Sequence, residues 1–209
     1  MNMAILRRNA TIEEQSGSDF VNRTAPRHRR RSIRLQNYDY AQAGAYFVTL
    51  CVHDRACRFG NLVNGEMQRS EAGQIVAATW DWLALQYSPV ELDAWVMMPN
   101  HVHGIIVIGD HLKSECIAKR KPLSGLVGAF KTVSTKRINE LRQTPGEKLW
   151  QRNYWEHVIR NEAELTHIRE YIQNNPIQWE LDSLHPCNDN HRRGGSRTAP
   201  TPDSERYSV

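Results

Sequence analysis

No run of about 18 consecutive apolar residues occurs in the 209-residue sequence, so no membrane-crossing helix is expected. The N-terminal stretch, with Arg7-Arg8-Asn9 and then Glu13-Glu14, lacks the apolar core of a secretory leader. Cysteine is sparse: Cys51, Cys57, Cys116 and Cys187 show no paired spacing of the C-x-x-C kind. That excludes a disulfide frame and a thiolate zinc site, and reduced thiols in a cytoplasmic protein are the expectation. A strong overall charge is missing too, since 27 Lys/Arg against 23 Asp/Glu leave only +4.

What charge there is lies unevenly. Arg27-His28-Arg29-Arg30-Arg31-Ser32-Ile33-Arg34 holds five arginines and no acid. Between Lys113 and Arg142 eight Lys/Arg face only Glu115 and Glu140. Two such blocks fit a polyanion footprint, because neutralising phosphates releases counterions. A solvated surface or a basic arm would give the same runs. Phosphate contacts are expected from Arg29, Arg30, Arg31 and Arg34 and from Lys131, Lys136 and Arg137 on a helix.

The length suits one domain with tails, and six tryptophans among many Val, Ile and Leu can supply its core. Residues 1–26 are polar and aperiodic, as is the stretch from Ser183 to Val209, so both are expected as disordered tails around a 27–182 domain. Inside it, Ala45–Val52 reads as a strand and Glu71–Gln86 as an amphipathic helix. Val90–Met97 and His101–Ile108 read as strands joined at Met98-Pro99-Asn100. A second helix runs through Leu123, Val127, Phe130, Ser134, Ile138 and Leu141, a fourth strand over Leu149–Ile159, and a last helix over Glu162–Asn174. The order β-α-β-β-α-β predicts an α+β, ferredoxin-like fold: an antiparallel sheet, two helices on one face, and a C-terminal helix in addition. The opposite sheet face is expected to be free, as where nucleic acids lie on this architecture.

Two features carry chemistry. His101 and His103 alternate on one strand, so both imidazoles leave the same face, where they can share a divalent metal or simply flank a buried strand. Tyr171 and Asn175 stand one turn apart at the edge of the last helix's apolar face. They read either as a pair pointing across a groove or as a packed tyrosine and a C-cap. Asn161 is the expected N-cap, with Glu164 completing a capping box. His53 and His157 are weaker candidates, the first as a loop residue and the second as a partner of Glu156.

Met98-Pro99-Asn100-His101-Val102-His103-Gly104-Ile105-Ile106 and Tyr171-Ile172-Gln173-Asn174-Asn175-Pro176 together resemble the single-tyrosine HUH transposases. Within them the likeness is to the REP-associated tyrosine transposases, and it extends over about Arg27 to Asp182. Arg30–Leu35, Gly44–Thr49 and Tyr154–Arg160 add to it. The resemblance implies His101 and His103 as metal ligands, Asn175 as the third ligand and Tyr171 as the nucleophile. It implies Mg²⁺ or Mn²⁺, cleavage of single-stranded DNA beside a hairpin through a 5′-phosphotyrosine, and action as a monomer or homodimer. Imidazole ligands alone would have suggested a softer metal. Two other readings use the same features: a hairpin-binding protein without turnover, and an RNA-binding module of the same topology. The second would need exposed aromatics where the central strand carries histidines.

Overall fold

A computed structural model describes residues 38–110 and 121–187. Four strands form one antiparallel sheet: β1 (Gly44–Cys51), β4 (Val90–Met98), β5 (His101–Ile108) and β6 (Trp155–Ile159), in the order β4-β5-β1-β6. With helices α1 (Glu71–Gln86) and α2 (Leu123–Arg142) in the chain order, this is the expected ferredoxin-like arrangement. A small hairpin, β2 (Gly60–Val63) and β3 (Glu66–Arg69), precedes α1.

Alternation along the central strands sorts their side chains into two cores. Tyr46, Val48 and Leu50 of β1 and Val102 and Ile106 of β5 join Val76, Trp80 and Leu83 of α1 and Leu126, Val127 and Phe130 of α2. Gly104 belongs to this side: a Cβ there would stand 2.4 Å from the indole of Trp80, so a bare backbone lets that ring lie on the sheet. Ser70 starts α1 by accepting from the amide of Gly73 at 3.1 Å.

The opposite face departs from expectation. It is not free, because α3 (Glu162–Asn174) packs on it, with Ile168 and Ile172 against Phe47, Ile105, Trp155 and Ile159. The apolar stripe of α3 needed a surface, and the uncovered β1–β5 face was the one available. Asn161 caps α3 as expected, its Oδ1 accepting from the amide of Glu164 at 2.8 Å. Glu164 completes no capping box; its carboxylate accepts from the amide of Arg160 and pairs with His157. His157 is thereby a partner of Glu164, not of Glu156.

The fourth strand is shorter than its sequence pattern. Only Trp155–Ile159 pairs along β1, while Trp150 makes one isolated bridge to Val52. Between them Lys131 Nζ takes the carbonyls of Gln151 and Asn153, which turns those groups away from a ladder. The described chain includes Ser183–Cys187, where Leu184 is buried. No helix of the described residues is long and apolar enough to cross a membrane.

Candidate active site

The two-residue turn Pro99-Asn100 sets β5 against β4 and places His101 at the head of the strand. His101 and His103 then emerge on the α3 side of the sheet, both fully buried. Their Nε2 atoms lie 3.0 Å apart. The register places Thr49 directly opposite His103, and its hydroxyl lies 2.8 Å from His103 Nδ1.

Asn100 fixes the protonation of this pair. Its Nδ2 donates to two carbonyls, Arg55 O at 3.0 Å and Leu184 O at 2.8 Å. Its Oδ1 can only accept, so His101 Nδ1, 2.8 Å away, must hold the proton. The lone pair of His101 is therefore on Nε2, facing His103. In this state His103 donates from Nε2 and accepts from the Thr49 hydroxyl through Nδ1. A cation seated between the rings would need that Nε2 proton moved to Nδ1. The Thr49 hydroxyl can accept as readily as donate, so it permits the change.

Burial keeps both rings neutral. It lowers His103 to about 3, and it drives His101 well below its usual value, helped by His103 and Arg55. Neutral imidazole is the form that binds metals.

Tyr171, on the last turn of α3, stands against these rings: its ring centre is 5.4 Å from that of His103 and 6.0 Å from Phe47. Burial raises its phenol above the ordinary value, and the charge of Asp182 adds to that. A hydrogen bond from the Asn175 amide acts in the opposite sense. Asn175 is the C-cap, where the helix ends before Pro176, yet it keeps helical dihedrals of φ −57° and ψ −41°. Its side-chain Oδ1 is buried with no hydrogen-bond partner. Two convergent neutral imidazoles fit a divalent cation, and Asn175 Oδ1 is a buried oxygen donor without a partner.

One group was missed by sequence reading. Asp182 brings Oδ2 to 3.5 Å from His101 Nε2, and one ligand atom each from His101, His103 and Asp182 lie within 4.8 Å of one another. Nothing local marks it, because it sits where the polar C-terminal stretch begins. The weaker candidates stay apart: His53 is exposed, and its backbone amide bonds Leu149 O.

The expected phosphate contacts divide. Lys131 is occupied by its two carbonyl partners, and burial lowers its amine to about 8. Lys136 and Arg137 are exposed on α2, with Lys136 3.9 Å from Glu140. Arg29, Arg30, Arg31 and Arg34 lie outside the described residues.

The sheet thus carries paired histidines beneath a tyrosine-bearing helix, and comparison with known proteins points to transposases. The family model "Transposase IS200 like" matches residues 82–175, a stretch holding His101, His103, Tyr171 and Asn175. A Haemophilus influenzae protein without an assigned function is 38% identical over 169 residues, which cover 76% of this chain and 94% of that protein. The REP-associated tyrosine transposase of Escherichia coli is 28% identical over 109 residues, covering 46% of this chain and 56% of that one. Among solved structures, a REP-associated tyrosine transposase bound to a REP hairpin superimposes with a TM-score of 0.51 at 19% identity, covering 82% and 99% of the two chains. The chain belongs to the IS200-like transposase family, with REP-associated tyrosine transposases among its relatives.

Proposed function

We propose that this transposase is a metal-dependent endonuclease and strand transferase for single-stranded DNA beside a REP-like hairpin. The observation that carries the proposal is the position of Tyr171 against the His101/His103 pair, with the two rings 5.4 Å apart at His103. His101, His103 and Asn175 would hold Mg²⁺ or Mn²⁺. When bound, the ion would draw charge from a phosphate oxygen and make the phosphorus more electrophilic.

Tyr171 is the nucleophile in this reading. Its oxygen forms a bond to phosphorus as the bond to the 3′ oxygen breaks, leaving a 5′-phosphotyrosine and a 3′-hydroxyl. The phenolic proton must leave during attack, since burial holds it on the oxygen at neutral pH. The Asn175 amide is placed to steady the developing phenolate. Reversal restores the phosphodiester without an energy source, because the phosphoester bond is exchanged rather than hydrolysed.

An RNA-binding module on the open sheet face is disfavoured, because Phe47 and Ile105 of that face are fully buried beneath α3. The hairpin partner is supported by the hairpin on the structural relative and by the two basic blocks. Incubation with hairpin DNA and Mn²⁺ should give a denaturant-resistant protein–DNA adduct that Tyr171→Phe abolishes. An adduct of equal yield in the Phe variant would place the nucleophile elsewhere.

A further inference from the structure

The chain does not leave this site at Asn175. Gln178 N bonds back to Asn175 O at 3.1 Å, and a 3-10 turn over Trp179–Leu181 brings the backbone round toward His101. The Trp179 ring stops 6.0 Å from that of His101, and His185 stacks edge-on against the indole at 4.7 Å. Asp182 follows at once, its side chain 4% exposed.

Two contacts fix how it points. Leu184 N donates to Asp182 Oδ1 at 2.8 Å, which leaves Oδ2 as the oxygen facing His101 Nε2 at 3.5 Å. Leu184 is itself buried, and its carbonyl is held by Asn100, the residue that sets the His101 tautomer. The segment is therefore built into the site through the same amide that orients the first histidine.

The donor chemistry says what it is for. Two imidazoles and an amide oxygen are neutral, and they favour softer, more tightly bound divalent ions over the oxygen-seeking Mg²⁺ and Mn²⁺. An anionic carboxylate oxygen adds a hard ligand and a negative charge at the point where the two Nε2 atoms converge. Asn175 Oδ1, at the end of the helix that carries Tyr171, is a further buried oxygen without a hydrogen-bond partner. We propose that Asp182 is a direct ligand of the divalent metal, completing the set of His101, His103 and Asn175 and tilting it toward Mn²⁺ and Mg²⁺. This rests on the metal-site reading above.

Binding of Mn²⁺ to the full chain, followed by the loss of the free-ion electron paramagnetic resonance signal, tests it without turnover. Asp182→Asn should weaken Mn²⁺ at least tenfold while weakening Ni²⁺ much less, and His101→Ala should abolish both. Asp182→Ser serves as a second variant, and circular dichroism confirms the fold of each. Equal weakening of the two ions in both variants would mark Asp182 as structural and overturn the proposal. Unchanged Mn²⁺ affinity, with binding still lost in His101→Ala, would overturn it too while leaving the metal site in place. Mn²⁺ binding indifferent to His101 would sink the metal site itself, and Asp182 with it.

Discussion

Asn100 does three things with one amide: it ties the Arg55 loop, anchors the segment at Leu184, and presents an acceptor to His101 Nδ1. Asn100→Ala removes all three bonds and leaves two carbonyls without their donor. Folding should suffer by about 1–3 kcal/mol, and Mn²⁺ affinity should fall about 10–100-fold as His101 loses its fixed tautomer. A calorimetric titration with Mn²⁺ measures this, and an affinity within twofold of the parent would show that Asn100 does not orient the ligand. At this scale the sequence was informative about His101, His103 and Tyr171, whose spacing on a strand and a helix fixes their faces. It was silent about Asp182. A single carboxylate at the edge of a polar stretch carries no periodicity, and only the tight turn after Pro176 brings it to the histidines.

The element that makes these residues into a site is α3, which has to hold the phenol at a set height above the sheet. Apolar contacts of Ile168 and Ile172 seat it, and Arg169 fixes its rotation by donating from Nε and one terminal nitrogen to Asp93 at 2.9 and 2.6 Å. Asp93 lies at the irregularity in β4 between Leu92 and Trp95, where the ladder with β5 shifts. Because Arg169 is 38% exposed, solvent screens the pair and it adds little to folding. Its value is geometric. Arg169→Ala should slow phosphotyrosine adduct formation about tenfold, since small misplacements of a nucleophile are expensive in rate. Hairpin affinity should stay within a few-fold, and Arg169→Lys should fail to restore the rate because it lacks the two-pronged donor. Single-turnover kinetics beside a gel-shift titration separates the two quantities, and an unchanged rate would free α3 from this clamp. Helix limits were legible because caps and stripe agree: α1 and α3 run where their patterns place them. The destination of α3 was not, since a stripe shows that a surface is needed without showing which. The β2–β3 hairpin had a usable signal, Asn64-Gly65, whose residues take φ 53° and 78° as a two-residue hairpin turn requires. The start of β6 had none, because the aromatic residues before Trp155 suit a strand and a packed loop alike.

For the whole molecule, the site is a stability liability that depends on pH. His101 and His103 are folded as neutral rings with depressed values, whereas in the unfolded chain each titrates near 6.5. Between about 6.5 and the folded value, about 3 for His103, the unfolded chain takes up protons that the folded one refuses. Stability is therefore fully present above 6.5 and declines as pH falls, by up to about 1.4 kcal/mol per pH unit for each ring. Asp182 acts in the opposite direction, since burial raises its carboxyl and the folded state then binds a proton more readily than the unfolded one. It gains stability as pH falls from that raised value toward the ordinary carboxylate range, one group set against two rings. Arg55 lowers both His101 and Asp182 and reverses neither sign. Urea unfolding of the metal-free protein at pH 7.0, 6.0 and 5.0 should show progressively lower midpoints, about 1–3 kcal/mol in all at pH 5.0. Replacing His103 by Asn should flatten that profile even though it lowers stability at pH 7, because one of the two refused protons is gone. A profile equally steep without His103 would mean that its ring is protonated in the fold, and a protonated ring has no lone pair on Nε2 to offer an ion.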